Sequence, residues 1–436
     1  AIMRKRKLPF TDVGHTLTIE GTCVSEDGRF AIHGLLPGEQ ALIVPLKKKK
    51  GQWVCQSQNI EQDHPARVIP VCAHAAQCGG CAFQHFDRSA QLVFKRDWLQ
   101  ALFDDCPPDT WIPTLSGDVV GYRSKARLGV KHVVKKGRTL IGFREVGSAY
   151  ITEMTSCQVL VPELARLIEP LSRLIDGLDS RSTIPQIEVA ASSGAVALVV
   201  RHLTILPPED LAAFLAFQDA HQVMILLQSK GPDSVRPLNE EANPLLHYRL
   251  DDQGLVFEFH PMDFTQVNQA VNQEMVNLAL DLLDLTSEDH VLDAFCGIGN
   301  FSLAVAQRAA SVVGIEASRS SVDRASSNAQ LNGLGNVSFE VADLYQSESA
   351  SLVLPQFNKA LLDPPRSGAE LVCQKLVDST CQKIVYVSCN PKTLRRDADI
   401  LCAGGFQLDQ LGMIDMFPHT AHMESIACFS RGSKNG

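Results

Sequence analysis

The alternation of apolar and polar positions changes rhythm along the chain. From about residue 8 to 68 it falls into short runs, HTLTIEGTCVSEDGRFAIHGLLPGEQALIVPL and WVCQSQNI, broken by the turn signals EDGR and LLPGEQ, with KKKKG joining two of them. Such runs predict a small β-barrel. The cysteine-rich stretch VCAHAAQCGGCAFQH comes next, and behind it SAQLVFKRDWLQALFDD has helical spacing. Between about 119 and 256 strand-like segments dominate: RLGVKHVV, TLIGFREV, IPQIEVAASSGAVALVVRHL, VMILLQS and YRLDDQGLVFEFH. SSG and DDQG read as hairpin turns, and ELARLIEPLSRLIDGL as one interrupting helix. After His260 the apolar strands HVLDAF, SVVGIE, VSFEVA, KALLDPP and KIVYVSC alternate with helical segments, which predicts a mostly parallel sheet covered on both faces. The expected chain is multidomain: an OB-like β-barrel over 8–68, a central α+β domain over 69–256 and a Rossmann-like α/β domain over 257–436. The helix near 88–104 is free to pack on a domain other than its sequence neighbours.

Composition narrows the class. With 45% apolar and 20% charged residues among 436, the chain can bury several cores, which excludes wholesale disorder. No run of ~18 apolar residues occurs, so no membrane-spanning helix is expected. The basic N-terminus has no apolar stretch behind it and does not read as a secretory signal. Thirteen cysteines, an odd number in a large chain, fit a reducing compartment, the cytoplasm.

Net charge is −9, yet residues 1–150 hold 21 Lys and Arg against 14 Asp and Glu, while the remainder holds 19 against 35. Such asymmetry points to a polyanion partner for the basic part. Between Val119 and Arg144 eight cations stand with no acid: Arg123, Lys125, Arg127, Lys131, Lys135, Lys136, Arg138 and Arg144. With Lys47 to Lys50 they make a candidate phosphate track, and Arg123 and Arg127 fall on one side of a strand.

The chemistry is concentrated after His260. HVLDAFCGIGNFSLAVAQ reads as strand, glycine turn and helix, with Gly297 and Gly299 allowing a tight turn and close approach to a ligand. Glu316 ends the next strand, where a carboxylate can accept both hydroxyls of a ribose. No third glycine follows, which suits S-adenosylmethionine better than a dinucleotide diphosphate. Asp343, after the third strand, is placed to meet an adenine amino group. LLDPPRSG and VSCNPKTL follow the fourth and fifth strands, so Asp363 and Cys389 should face the same crevice.

DAFCGIGN, LLDPPRSG, VSCNP, FPHTAHMES, FTQVNQ and GYRSKARL together resemble the RNA uracil-C5 methyltransferase family. The barrel with LLPGE looks like its RNA-binding TRAM module, and Cys72, Cys78 and Cys81 with Cys157 in TSCQVL are similar to the iron–sulfur pattern of the branch acting on large-subunit ribosomal RNA. The resemblance covers nearly the whole chain. It implies Cys389 as nucleophile at carbon 6 of uracil and Glu424 as the base that removes the carbon-5 proton. It also implies that Gln266, Phe295, Asn300, Glu316, Asp343 and Asp363 line the cofactor pocket, that Phe264 stacks on the target base, and that the protein is a monomer. Four thiolates suit zinc or an iron–sulfur cluster equally by count; the resemblance favours [4Fe–4S]. The same chemistry on a different ribosomal-RNA uracil or on a transfer-RNA uracil is the alternative. An amino-group methyltransferase, which needs no nucleophilic cysteine, is a more distant one.

Overall fold

The computed structural model describes residues 8–61, 63–346 and 357–431, so the basic N-terminal residues 1–7 lie outside it. The chain forms two compact units, Ala1–Phe94 with Asp118–Pro244 and Phe417–Ala421, and Lys95–Gly117 with Leu245–Met416 and His422–Gly436.

In the first unit β1 (Phe10–Val13), β2 (Thr16–Leu17), β3 (Thr22–Val24), β4 (Phe30–His33), β5 (Gln40–Lys49) and β6 (Gln52–Glu61) form a sheet of order β1-β5-β6-β4-β3-β2. β1 and β2 are its two edges, yet only Gly14 and His15 separate them. A flat sheet would hold those edges ~24 Å apart at ~4.8 Å per strand. The three-bond link reaches only about 10 Å, so the sheet must curl back until its two edges lie near each other. Cys23, Phe30, Ile32, Ala41, Ile43 and Cys55 fill the curl. The KKKKG segment joins two strands as expected, but most of it is strand rather than turn. Lys47–Lys49 extend β5, and the turn falls at Lys50 and Gly51, both with positive φ.

Helix α1 (Arg88–Leu102) and strand β7 (Thr110–Ser116) come next in the chain. The rest of the first unit is built on β8 (Lys125–Val133), β9 (Arg138–Gly142), β10 (Gln186–Ser192), β11 (Ala195–Arg201), β12 (Met224–Gln228) and β13 (Arg236–Pro237), in the order β13-β12-β11-β10-β8-β9. The single predicted helix over ELARLIEPLSRLIDGL is two, α2 (Pro162–Ala165) and α3 (Ile168–Asp176). Pro170 sits in the first turn of α3, where its missing N–H leaves no bond unmade. With α4 (Pro208–His221), α3 covers a core including Leu128, Ile175, Val189, Leu198 and Phe214.

The second unit opens with the hairpin β14 (Leu246–Leu250) and β15 (Leu255–Phe259), then α5 (Gln269–Leu283). There follow β16 (His290–Ala294), α6 (Ser302–Ala306), β17 (Ser311–Glu316), α7 (Arg319–Leu331), β18 (Val337–Val341), β19 (Lys359–Leu362), α8 (Glu370–Val377), β20 (Lys383–Ser388), α9 (Pro391–Ala403), β21 (Phe406–Asp415) and β22 (Glu424–Arg431). The sheet runs β18-β17-β16-β19-β20-β22-β21-β7, with β16 to β20 parallel and β22 antiparallel. The predicted boundaries move accordingly. The hairpin leaves the central domain because the side-chain carbonyls of Asn332 and Asn328 accept from Val256 N and Glu258 N at 2.9 and 2.8 Å. Residues 95–117 leave it because β7 pairs in parallel with β21. The barrel and the central sheet, expected as two domains, belong to one unit. Among the described residues no helix is long and apolar enough to cross a membrane.

Candidate active site

Strand order reverses between β16 and its neighbours β17 and β19, and in such a sheet the crevice opens at the carboxyl ends of those strands. A cavity of about 520 Å³ lies there. Phe264, Gln266, Phe295, Gly297, Asn300, Glu316, Asp343, Asp363, Cys389 and Glu424, all nominated from the sequence, line it.

The turn after β16 is tight. Phe295, Gly297 and Gly299 have φ of 66°, 54° and 91°, an unfavourable region for the one phenylalanine among them. A Cβ on Gly299 would stand 2.7 Å from Leu303 Cδ1, whereas one on Gly297 would meet nothing within 4 Å. Glu316 is held by Gly297 N at 3.3 Å and Ser318 N at 3.0 Å. Asn300 is fixed from behind: its Oδ1 accepts from Tyr248 Oη at 2.9 Å and Asn272 Nδ2 at 3.0 Å, and its Nδ2 donates back to Asn272 at 2.9 Å.

The reactive loops are tied together by Asn390. Its Nδ2 donates to the Arg366 carbonyl at 2.9 Å, its Oδ1 accepts from Lys392 N at 3.2 Å, and Pro391 opens α9 behind it. Thus the Asn-Pro turn ends β20 with the thiol at the cavity. Burial pushes Cys389 up to about 11, helped by the Glu424 and Asp363 charges and opposed by the Arg366 guanidinium. Burial raises Glu424 to about 8, again with Asp363 adding and Arg366 opposing. Burial and the neighbouring Asp293 raise Asp363 to about 7. Acids outnumber cations around this cavity, so the site favours a positively charged ligand.

The other nominated residues belong to the first unit. Cys72, Cys78 and Cys157 are buried and Cys81 partly so. Each of Cys78, Cys81 and Cys157 is raised by burial first and then feels the charge of other members of the set. Backbone N–H groups aim at the sulfurs: Gly80 N donates to Cys78 Sγ at 3.4 Å, and Val159 and Leu160 donate to Cys157. Gln84 accepts from Cys72 N at 3.0 Å and hydrogen-bonds Cys81. Among the described residues no three His, Cys, Asp or Glu side chains close on a single metal ion.

Along β8, Lys125, Arg127 and Lys131 share the outward face, with Arg123 just before the strand. Arg127 pairs with Glu188 at 2.9 Å, and Glu153 takes both Lys136 and Arg138. Arg123 lies 6.0 Å over the Phe417 ring.

Sequence reasoning passed over Arg366, Tyr248, Thr265 and Tyr345, which also line the cavity. Arg366 stood inside LLDPPRSG, a usable signal; Tyr248 sat in a hairpin assigned to another domain.

Residues 245–431 match the tRNA (Uracil-5-)-methyltransferase family. The chain is 42% identical over 442 aligned residues to the 23S rRNA (uracil(1939)-C(5))-methyltransferase RlmD of Hahella chejuensis, covering 98% of this chain and 99% of that one. It is 44% identical to the protein of the same name from Methylococcus capsulatus, covering 93% of each. Among solved structures, the Pyrococcus abyssi tRNA (uracil-54, C5)-methyltransferase in complex with S-adenosyl-L-homocysteine superposes with a TM-score of 0.76 at 25% identity, covering 96% of this chain and 99% of that one.

Proposed function

The chain belongs to the RNA uracil-C5 methyltransferase family, and on that premise we propose that it methylates carbon 5 of uracil 1939 in 23S ribosomal RNA from S-adenosylmethionine, through a covalent adduct of Cys389 at carbon 6. One observation carries the reading: a single cavity holds the glycine turn with its ribose-binding acid and, beside them, a thiol and a buried carboxylate. The methyl donor supplies an electrophilic methyl on a sulfonium, whose positive charge suits the acid-rich walls.

Carbon 5 of uracil is a weak nucleophile. Addition of the Cys389 thiolate at carbon 6 makes it enolate-like and able to accept the methyl group. Arg366 is the positive group that favours ionisation of the partly buried thiol. Glu424, raised to about 8 by burial, is a stronger base than an ordinary carboxylate once it has lost its own proton. It takes the carbon-5 proton, the electrons of that carbon–hydrogen bond restore the carbon 5–carbon 6 double bond, and the carbon–sulfur bond breaks with its electrons returning to Cys389 as thiolate. Because a stacked base hides carbon 6, the uracil is flipped into the cavity, with the exposed Phe264 ring as stacking partner. Gln266, Phe295, Asn300 and Asp343 serve the methyl donor with Gly297, Glu316 and Asp363.

Cys72, Cys78, Cys81 and Cys157 hold a [4Fe–4S] cluster in this reading. Support comes from four cysteines, three of them buried, among which Cys78, Cys81 and Cys157 each feel the charge of other members, with N–H donors aimed at the Cys78 and Cys157 sulfurs. Methyl transfer needs no electron, so the cluster's part is to hold the RNA-binding loops. Anaerobically purified protein should be brown with about four irons per chain, and colourless protein with stoichiometric zinc would refute this. Arg123, Lys125, Arg127 and Lys131 grip RNA phosphates.

The deciding experiment is tritium release from RNA carrying uracil tritiated at carbon 5, with S-adenosylmethionine added. Release from unmodified 23S rRNA but not transfer RNA is expected. Release from transfer RNA alone would overturn the target, and release from neither would overturn the chemistry.

A further inference from the structure

The loop between β19 and α8 carries Asp363, Pro364, Pro365 and Arg366 on the wall of the active-site cavity. Its next three carbonyls are taken up in turn. The Arg366 carbonyl accepts from Asn390 Nδ2 at 2.9 Å and Thr393 Oγ1 at 3.3 Å, and the Ser367 carbonyl from Arg396 Nη2 at 3.0 Å. These three donors belong to α9 and its cap, immediately behind Cys389. The Gly368 carbonyl is held from elsewhere. It accepts from Tyr345 Oη at 2.8 Å, and the same hydroxyl accepts from Ser367 Oγ at 2.8 Å. Of these four side chains that donate to the loop carbonyls, Tyr345 alone borders the cavity.

Tyr345 is itself fixed to the residues that serve the methyl donor. Its backbone N donates to Asp343 Oδ1 at 2.9 Å, and its ring is tilted 47° to that of Phe295, with centroids 5.7 Å apart. Burial pushes the phenol above its ordinary value, so the hydroxyl keeps its proton and remains a donor. The loop has no slack on the α9 side, because a Cβ on Gly368 would stand 2.7 Å from Asp397 Oδ2. At the strand end Asp363 is pinned by its N–H to the Ala294 carbonyl at 3.3 Å. Arg366 lies between these anchors. We infer that Tyr345 is a positioning residue: through the Gly368 carbonyl it holds the 363–368 loop so that Arg366 stands beside Cys389. The wall that seats the methyl donor thereby also sets the placement of the cation that serves the nucleophile. The inference rests on the reading of Cys389 as nucleophile and adds to it a residue that acts through Arg366.

Tyr345→Phe removes the hydroxyl and keeps the ring, at a position already 47% exposed. The test follows alkylation of Cys389 by iodoacetamide against pH in the full chain, resolved by peptide mass spectrometry, beside steady-state methylation. The charges facing this thiol are Glu424, Asp363 and Arg366, and only Arg366 favours the thiolate. The alkylation profile of Tyr345→Phe should therefore move to higher pH, with the rate near neutrality down about threefold. Methylation kcat should fall about fivefold, the worth of one hydrogen bond, with KM for S-adenosylmethionine and for RNA unchanged. In an Arg366→Gln background Tyr345→Phe should move the alkylation profile no further, because the cation it places is gone. Ser367→Ala, which removes the second bond to the hydroxyl, should shift the profile in the same direction by less, and it carries the test if Tyr345→Phe does not fold. An unmoved profile, an equal shift in the Arg366→Gln background, or a raised KM for S-adenosylmethionine at unchanged kcat overturns the inference. Cys389→Ala is assayed in parallel. Methylation by that variant overturns the nucleophile reading, whereas its inactivity beside an unmoved Tyr345→Phe profile overturns this inference alone.

Discussion

Lys95, on α1, has no exposed surface, and neither does Asp415 at the end of β21; Nζ and Oδ1 are 2.8 Å apart. The same ammonium donates to the His422 carbonyl at 3.1 Å, two residues before the proposed base Glu424. Lys95→Met keeps most of the aliphatic volume but deprives a buried carboxylate of its ammonium. Removing one member of a fully buried pair costs about 3–5 kcal/mol. In a unit of about 200 residues each kcal/mol moves the melting temperature by roughly 2–4 °C, so the second unit should melt about 6–20 °C lower. Lys95→Met/Asp415→Leu removes both charges and should recover most of the loss, because buried pairs replaced by apolar groups are often neutral. Differential scanning calorimetry with the methyl donor absent reads both variants. At temperatures where Lys95→Met remains folded, kcat should fall while KM for RNA stays unchanged, since the lost tether acts on the Glu424 loop. A single variant within about 1 kcal/mol of wild type, or a double variant no better than the single, would refute the reasoning.

Three further outcomes are expected. Glu424→Gln should still form the carbon-6 adduct but fail to resolve it, accumulating a denaturant-resistant protein–RNA band with turnover down at least about 100-fold, and Cys389→Ala should form no band. Glu424 and Asp363 hold protons up to about 8 and 7 that the unfolded chain releases near 4. Their contribution to stability is thus full below about pH 4 and lost as pH rises through 7–8, and Glu424→Gln should flatten urea-denaturation stability between pH 6 and 8.5. Replacing Arg123 and Arg127 together by Ala should raise KM for RNA and reduce its salt dependence, leaving the dissociation constant for S-adenosylmethionine unchanged; equal loss of both would mean they hold the fold.

What the sequence disclosed follows the range of the interactions. The glycine turn at Gly297, the Asn390-Pro391 stop behind Cys389 and the acid ending β17 are each written within a few adjacent residues, and all converge on one cavity. The KKKKG segment was legible as a junction but not in its extent, because Lys has low strand propensity and only pairing with β6 makes Lys47–Lys49 extended. Tyr248, Lys95 and β7 were illegible for a related reason. Their partners are Asn300, Asp415 and β21, and Lys95 and Asp415 are 320 residues apart, so no local period marks the pairing. The raised Glu424 and Asp363 are products of burial, which appears only when distant strands close over them.

The placement of β7 bears on how the protein is made. This strand leaves the ribosome about 300 residues before β21, the neighbour it pairs with. At ~5–20 residues per second that is on the order of 15 to 60 s in which a strand of the catalytic sheet has no partner. The match to residues 245–431 leaves β7 out, and a fragment cut there would present β21 as an open edge, prone to pairing with other chains. Synthesis of the catalytic sheet thus begins before the first unit is complete and ends only with the last strands, so no truncation from the N-terminus past β7 leaves that sheet whole.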